Sequence, residues 1–145
     1  LYVGGRNSYK NFNNFLRAFA LLKEDIDLVC TGNPFTKQEM QSIYKLGVVN
    51  RVSQLFVSDE EMNQLMAQAL VFVYPSIGEG FGMPILEAYR CGCPCVISDI
   101  PCFHEVAADA AIYFNPSQPD SISQAISGAI NDSDLLHLLR QKGYE

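Results

Sequence analysis

Several things are scarce in this sequence, and each scarcity narrows the reading. No apolar run approaches the ~18 residues that cross a bilayer. Positive charge is in deficit: 10 Lys and Arg against 16 Asp and Glu give a net charge of −6. That excludes a nucleic-acid or anionic-membrane surface spread over the whole chain, while leaving room for a local basic pocket. Neither Gly-x-x-x-x-Gly-Lys-Ser/Thr nor Gly-x-Gly-x-x-Gly occurs, which disfavours a P-loop ATPase and a dinucleotide oxidoreductase. No signal-peptide pattern, internal repeat or low-complexity segment is apparent. Tryptophan is absent and histidine occurs twice. His137 reads as a surface position in a terminal helix. His104, before Glu105, reads as a loop or capping residue rather than a catalyst, with a structural role for Glu105 slightly favoured.

Cysteine is present but lacks a framework. The five residues, at 30, 91, 93, 95 and 102, are odd in number and irregular in spacing, unlike a secreted disulfide scaffold. Cys91-Gly-Cys93-Pro-Cys95 has too tight a spacing for an ordinary zinc clip, and no second ligand pair lies elsewhere. We read it as small residues packing a helix end against a strand, kept reduced in a cytoplasmic setting. The chain opens on Leu1-Tyr2-Val3, which already has the character of a buried strand, and closes in a helical pattern. It therefore reads as a single domain, residues 1–145, taken from a longer protein.

Hydrophobic residues are plentiful, at 48% of 145, and enough to bury a real core. Short apolar runs alternate with helical periodicity. Strands are predicted at 1–3, 27–31, 52–57, 70–74, 94–98 and 111–114. Between them Phe12, Phe15, Leu16, Phe19 and Ala20 share one helical face, with Asn11 as N-cap. Met62, Leu65, Met66, Ala69 and Leu70 form a second stripe, opened by Ser58 or Asp59. Ile122, Ala125, Ile126, Ala129 and Ile130 form a third. A buried helix is expected from Pro84 to Cys91, with proline in its first turn. This alternation predicts an α/β fold: a Rossmann-like, doubly wound parallel sheet of about six strands with helices on both faces. Ligands in such folds bind at the carboxyl ends of the strands, near a switch in strand order. The segments 4–10, 32–34, 58–59, 75–82 and 98–101 would all lie on that rim.

One segment of the rim stands out. Gly78-Glu79-Gly80-Phe81-Gly82-Met83-Pro84-Ile85-Leu86-Glu87-Ala88 puts three glycines and two carboxylates at a strand-to-helix junction. Glycines let the backbone approach a ligand, and a helix start offers free N–H groups to an anion. Gly4-Gly5-Arg6-Asn7-Ser8-Tyr9-Lys10 adds two cations in a glycine-led loop. They could neutralise a diphosphate, or be ordinary solvated charges. The two glutamates could work as an acid–base pair or accept bonds from sugar hydroxyls. Glu87, read as lying in the first turn of its helix, could also merely complement the helix dipole. A ligand carrying both a diphosphate and sugars, a nucleotide sugar, suits the whole set.

With those residues in view, the chain resembles the C-terminal domain of retaining glycosyltransferases of the two-domain GT-B type, in glycosyltransferase group 1 (family 4). The resemblance rests on Glu79-x7-Glu87 followed by Ala88, on Gly5-Arg6 and Lys10, on Val57-Ser58-Asp59-Glu60-Glu61, and on Gly92-Cys93-Pro94-Cys95-Val96-Ile97-Ser98-Asp99. It covers nearly the whole chain. It implies that Arg6 and Lys10 hold the donor diphosphate and that Glu79 orients the transferred sugar. Glu87 would bind the ribose, and the backbone at Gly80, Phe81, Gly82 and Met83 would face the sugar and phosphate. The base would lie near Gly32, Asn33, Val57 and Ser58. One departure is that three residues separate Arg6 from Lys10, where many members have four. The Tyr9-Lys10-Asn11 form is similar to the mannosyltransferase subgroup, implying GDP-mannose, with a UDP-sugar as the other donor. No metal or other cofactor is implied. A saccharide or lipid-linked acceptor would engage an N-terminal domain outside this chain, in an enzyme of polysaccharide biosynthesis located in the cytoplasm or at the inner face of the membrane. A non-catalytic nucleotide-sugar-binding module and a UDP-sugar epimerase of the same architecture are the alternatives.

Overall fold

The computed structural model describes residues 1–145. In chain order the elements are α1 (Phe12–Leu21), β1 (Leu28–Thr31), α2 (Lys37–Lys45), β2 (Val52–Leu55), α3 (Asp59–Gln68), β3 (Phe72–Tyr74), α4 (Met83–Arg90), β4 (Cys95–Ser98), α5 (Pro101–Ala107), β5 (Ala111–Phe114), α6 (Pro119–Ile130) and α7 (Ser133–Tyr144). Short 3-10 turns occupy Ser8–Lys10 and Val49–Arg51.

All strand pairs are parallel. β1 pairs with β2, setting Leu28 opposite Val52, and β3, β4 and β5 form a second ladder. The predicted first strand joins the two ladders. Tyr2 N–H donates to Val29 O at 2.9 Å and Tyr2 O accepts from Thr31 N–H at 3.0 Å. On its other side Leu1 O accepts from Val73 N–H at 2.9 Å, and the Leu1 ammonium donates to Val71 O at 3.0 Å. Its one formal bridge is Tyr2 to Cys30. The spatial order is therefore β2, β1, residues 1–3, β3, β4, β5. The direction of winding reverses between residues 1–3 and β3, which is where such folds open a crevice.

Successive strand residues point to opposite faces. Val73 and Val96 join Phe12, Phe15, Leu16, Phe19, Ile122 and Ile126 in one core, under α1 and α6. Phe72, Tyr74, Cys95 and Ile97 join Ile85, Ala88 and Phe103 in the other, under α4 and α5. Two predicted strands overshoot. Phe56 is 82% exposed and Leu70 is also exposed, so each apolar run continues past its ladder. Of the α3 stripe only Met66 is fully buried. Ser58 caps α3, its side chain accepting from Glu61 N–H in a capping box.

The last helix is keyed into α4. A Cβ at Gly143 would sit 2.7 Å from the Tyr89 ring, and one at Gly92, where φ is +69°, would strike the Tyr144 hydroxyl. Arg140 Nε donates to Gly92 O at 3.2 Å, and Lys142 pairs with Asp109. Each tyrosine thus occupies the space left by a glycine of the other segment.

Candidate functional site at the switch point

The crevice is built by two loops. The first follows residues 1–3 and the second follows β3. Ile77 N–H donates to Tyr9 O at 2.8 Å, tying them together. Asn11 secures the same junction. Its backbone is left-handed (φ 60°), and its amide donates to Pro75 O at 3.0 Å and Pro116 O at 2.7 Å. It occupies the predicted N-cap position of α1, but its side chain makes no cap bond: its Nδ2 donates to these carbonyls, and its Oδ1 accepts from Asn14 Nδ2 at 3.0 Å.

Lys10 and Glu79 meet across this junction. Lys10 Nζ lies 2.7 Å from Glu79 Oε1 and donates to the Tyr74 hydroxyl at 3.3 Å. The ammonium also sits about 5 Å from the Tyr9 and Tyr74 ring centroids, in cation–π range. Ser76 Oγ donates to the same Glu79 oxygen at 2.7 Å. The side chains are 17% and 12% exposed, so the pair is shielded but reachable. Burial pushes the Glu79 carboxyl up, but hydrogen bonds from Lys10, Ser76 and Tyr74 outweigh it and hold the group below the usual carboxylate value. Tyr74 moves the other way: burial and the neighbouring carboxylate raise its phenol.

Gly82 caps α4 with φ +95°, and a Cβ there would meet Phe103 at 3.1 Å. Around Gly80 the space is open, and Phe81 and Met83 are exposed. Pro84 has no N–H and Ile85 N–H donates to Gly82 O at 3.0 Å, so of the first α4 turn the Met83 N–H is the donor left at this opening. Glu87 departs from expectation. α4 begins at Met83, with Pro84 in its first two positions and no acidic residue in its first turn. Glu87 is the fifth helical residue, one turn beyond the strong end of the dipole, so dipole complementation does not explain it. It is exposed and lines a shallow crevice between α3 and α4 with Asn63, Arg90 and Cys91. The outer face of α4, with Met83 and Leu86 exposed, is also less buried than its composition predicts.

Arg6 reaches the loop after β1 and the first turn of α2. Its Nε donates to Glu39 Oε1 at 2.8 Å, and its Nη2 donates to Asn33 O at 2.7 Å and Pro34 O at 3.0 Å. The guanidinium lies 4.9 Å from the Phe35 ring and 5.7 Å from Phe12. The two predicted phosphate cations are thus paired with different carboxylates, Arg6 with Glu39 and Lys10 with Glu79. Gly32, at φ +112°, approaches Gly4, so that a Cβ would lie 3.1 Å from Gly4 O. Gly5 is exposed beside it, and Tyr2 donates its hydroxyl to Gly5 O at 2.8 Å. Asn33 is exposed, and Val57 is half-buried at the adjoining β2 exit. The Ser58 hydroxyl is engaged in its cap.

Elsewhere on the rim His104 Nε2 lies 2.6 Å from Asp99 Oδ1, and its ring stacks on Tyr113 at 4.1 Å. This places His104 within α5 rather than in a loop. Cys93 and Cys95 are buried, and Cys91 ends α4 beside Asn63. A cavity lined by Leu1, Phe19, Leu22, Ile26 and Leu70 among others is mostly apolar. It lies at the amino ends of the strands, away from these polar groups. Tyr74, Ser76 and Glu39 were not singled out from sequence. Only Glu39 carried a local signal, the Thr36-x-x-Glu39 capping box that starts α2.

Fold and site together define a Rossmann-type α/β domain of the GT-B glycosyltransferase kind, with a charged crevice at its topological switch point. The whole chain, residues 1–145, matches the family model for glycosyl transferases group 1, and the chain belongs to that family. It is 36% identical over 129 residues to O-antigen chain mannosyltransferase RfbU of Salmonella typhimurium, covering 87% of this chain and 36% of that protein. It is 32% identical over 154 residues to O-antigen chain mannosyltransferase B of Escherichia coli, covering 99% and 39%. This chain thus spans well under half the length of either relative. Among solved structures, Anabaena HepE in complex with UDP-glucose superposes with a TM-score of 0.85 at 25% identity, covering 98% of this chain and 42% of that one. The C-terminal domain of the group 1 protein LpcC from Francisella tularensis gives 0.85 at 23% identity, covering 99% and 80%.

Proposed function

We propose that this chain is the donor-binding half of a retaining glycosyltransferase that moves a sugar, mannose being the leading candidate, from a nucleoside-diphosphate donor to a saccharide or lipid-linked acceptor. The observation that carries the reading is the Lys10–Glu79 pair beside the glycine junction at the switch point. Lys10 pairs with Glu79 in the glycine loop that leads into α4. It and the Met83 N–H would hold the diphosphate and stabilise charge developing on it as the glycosidic bond breaks. Glu79, kept ionised by its donors, would accept bonds from the sugar hydroxyls. Gly80, Phe81, Gly82 and Met83 would present backbone to the sugar and phosphate, and Glu87 would take the ribose. The base would lie over Gly5, Gly32, Asn33, Val57 and Ser58. The countercharge comes from protein groups, so the proposal calls for no metal or other cofactor. No helix is long and apolar enough to cross a membrane. We place the reaction in the cytoplasm, with the acceptor bound by the part of the enzyme outside this chain. The mannosyltransferase relatives support sugar transfer over the non-catalytic and epimerase alternatives, and the UDP-glucose complex of the structural neighbour supports a nucleotide-sugar donor.

Calorimetric titration with GDP-mannose, with UDP-glucose as comparator, tests the reading. Saturable binding of one of them, lost in Lys10→Met, is the expected result. Binding unchanged in Lys10→Met would overturn the role of Lys10, and no binding of either donor would count against the donor-site reading.

A further inference from the structure

Glu79 stands between Gly78 and Gly80, and a Cβ at either glycine would meet nothing within 4 Å. Glycines in open space do not fix a backbone, so the direction of the carboxylate has to be set by its partners. The residues just before it are held firmly. Asn11 Nδ2 donates to Pro75 O at 3.0 Å, and Ile77 N–H donates to Tyr9 O at 2.8 Å. Ser76 lies between these two bonds, two residues past the end of β3, and is fully buried.

The Ser76 hydroxyl links the fixed part of the loop to the free part. Its Oγ donates to Glu79 Oε1 at 2.7 Å, across three residues of chain. Lys10 Nζ reaches the same oxygen at 2.7 Å. Both bonds fall on Oε1, which leaves Oε2 as the oxygen available to a ligand. The two donors differ in kind. Lys10 is a charge on a flexible stem, part of whose surface is open, and any anion entering the crevice competes with Glu79 for it. Ser76 is short, uncharged and buried, so no anion draws it away.

We propose that Ser76 is a positioning residue for Glu79. It tethers Oε1 and so presents Oε2 to the hydroxyls of the transferred sugar, whether or not Lys10 is engaged elsewhere. The role at the sugar rests on the donor-site reading above; the tether stands on the geometry of the loop.

NMR titration of the Glu79 side-chain carboxyl, assigned with Glu79→Gln, reads the tether without ligand. The charged and titratable groups around that carboxyl are Lys10 and Tyr9 from the first loop, Tyr2 from the first strand and Tyr74 from β3. All of them stay in place in Ser76→Ala and Ser76→Cys. The cysteine variant nearly keeps the volume but offers only a weak S–H donor, so a packing role would spare it. Each variant should raise the titration midpoint by about half a pH unit or more, in the wild-type and in a Lys10→Met background alike. A midpoint unmoved in either variant, or moved only while Lys10 is present, overturns the tether. Backbone relaxation should show wider motion at Gly78, Glu79 and Gly80 in both variants while β3 and α4 keep their order, and unaltered order at Glu79 also overturns it.

Calorimetry with GDP-mannose against GDP, and with UDP-glucose against UDP, reads the role at the sugar. Ser76→Ala should weaken the nucleotide sugar about fivefold and leave the nucleoside diphosphate within roughly twofold. Equal changes for both ligands, or none, overturn that role. Should wild type bind neither nucleotide sugar, the donor-site reading fails on its own, and the titration still judges the tether.

Discussion

Lys10 Nζ and Glu79 Oε1, 69 residues apart in sequence, lie 2.7 Å apart across the switch point of the sheet. The pair joins the first rim loop to the glycine junction, so its loss should register in stability as well as in binding. Lys10→Met leaves a shielded carboxylate with only neutral donors. Its expected cost is about 2 kcal/mol of unfolding free energy, between the values for exposed and fully buried pairs. Urea denaturation measures it, and a double-mutant cycle with Glu79→Gln should return a coupling above about 1 kcal/mol.

The same pair sets an acid limit. The Glu79 carboxyl is held below its ordinary value of 4.5, and so is that of Glu39, where burial is outweighed by Arg6 and Thr36. Groups with depressed folded values stabilise the protein fully above the unfolded value, and that contribution is lost as pH falls through the folded one. Wild type should therefore exceed Glu79→Gln in stability at pH 7, and the gap should close as pH falls below 4.5 through the depressed folded value. Denaturation curves across that interval check the sign. A gap that persists at the acid end would assign the effect to packing.

The glycine junction offers an internal control. Gly82→Ala meets both a left-handed backbone and the Phe103 ring, and should cost about 1–3 kcal/mol. Gly80→Ala meets open space at a position without positive φ, and should be close to neutral for folding. Thermal unfolding of the two variants side by side tests the contrast.

Asn11 combines a left-handed backbone with two bonds to loop carbonyls. Asn11→Gly keeps the conformation and loses the bonds, for about 1–2 kcal/mol. Asn11→Ala should cost about 1 kcal/mol more, since alanine also resists that backbone. Equal losses in the two variants would remove the conformational part of the account.

The cysteines should divide by access. Burial pushes the Cys30 thiol up to about 12 and that of Cys93 to about 11, and it raises Cys95 further above the ordinary range. Iodoacetamide at pH 8 should modify Cys91 and Cys102 in the native chain and all five cysteines after denaturation. Peptide mass analysis reads the sites directly.

Much of this was legible from residue order. Ser58 announced its helix because a capping box is a local pattern, and the six strand segments followed from apolar runs bounded by turn residues. The rim also followed, since a parallel alternating fold brings the carboxyl ends of its strands together. What sequence could not supply was direction. Arg6 and Lys10 are near neighbours in one loop, yet one side chain is claimed by Glu39 and the other by Glu79, partners fixed only by tertiary packing. Glu87 was placed too early because a helix that starts one residue sooner moves it out of the first turn. α2 was overlooked because Ile43 is its only fully buried residue, leaving little apolar stripe to find.

The two glycines that receive the tyrosines between α4 and α7 constrain how this domain can drift over evolutionary time. Gly92 is held by its left-handed backbone, since the exposed Tyr144 hydroxyl can swing aside. Enlarging Gly143 instead requires a smaller residue at position 89, and neither of the two is free to vary first without a damaged intermediate. Such positions travel as linked characters, and α7 is inherited together with the helix it braces.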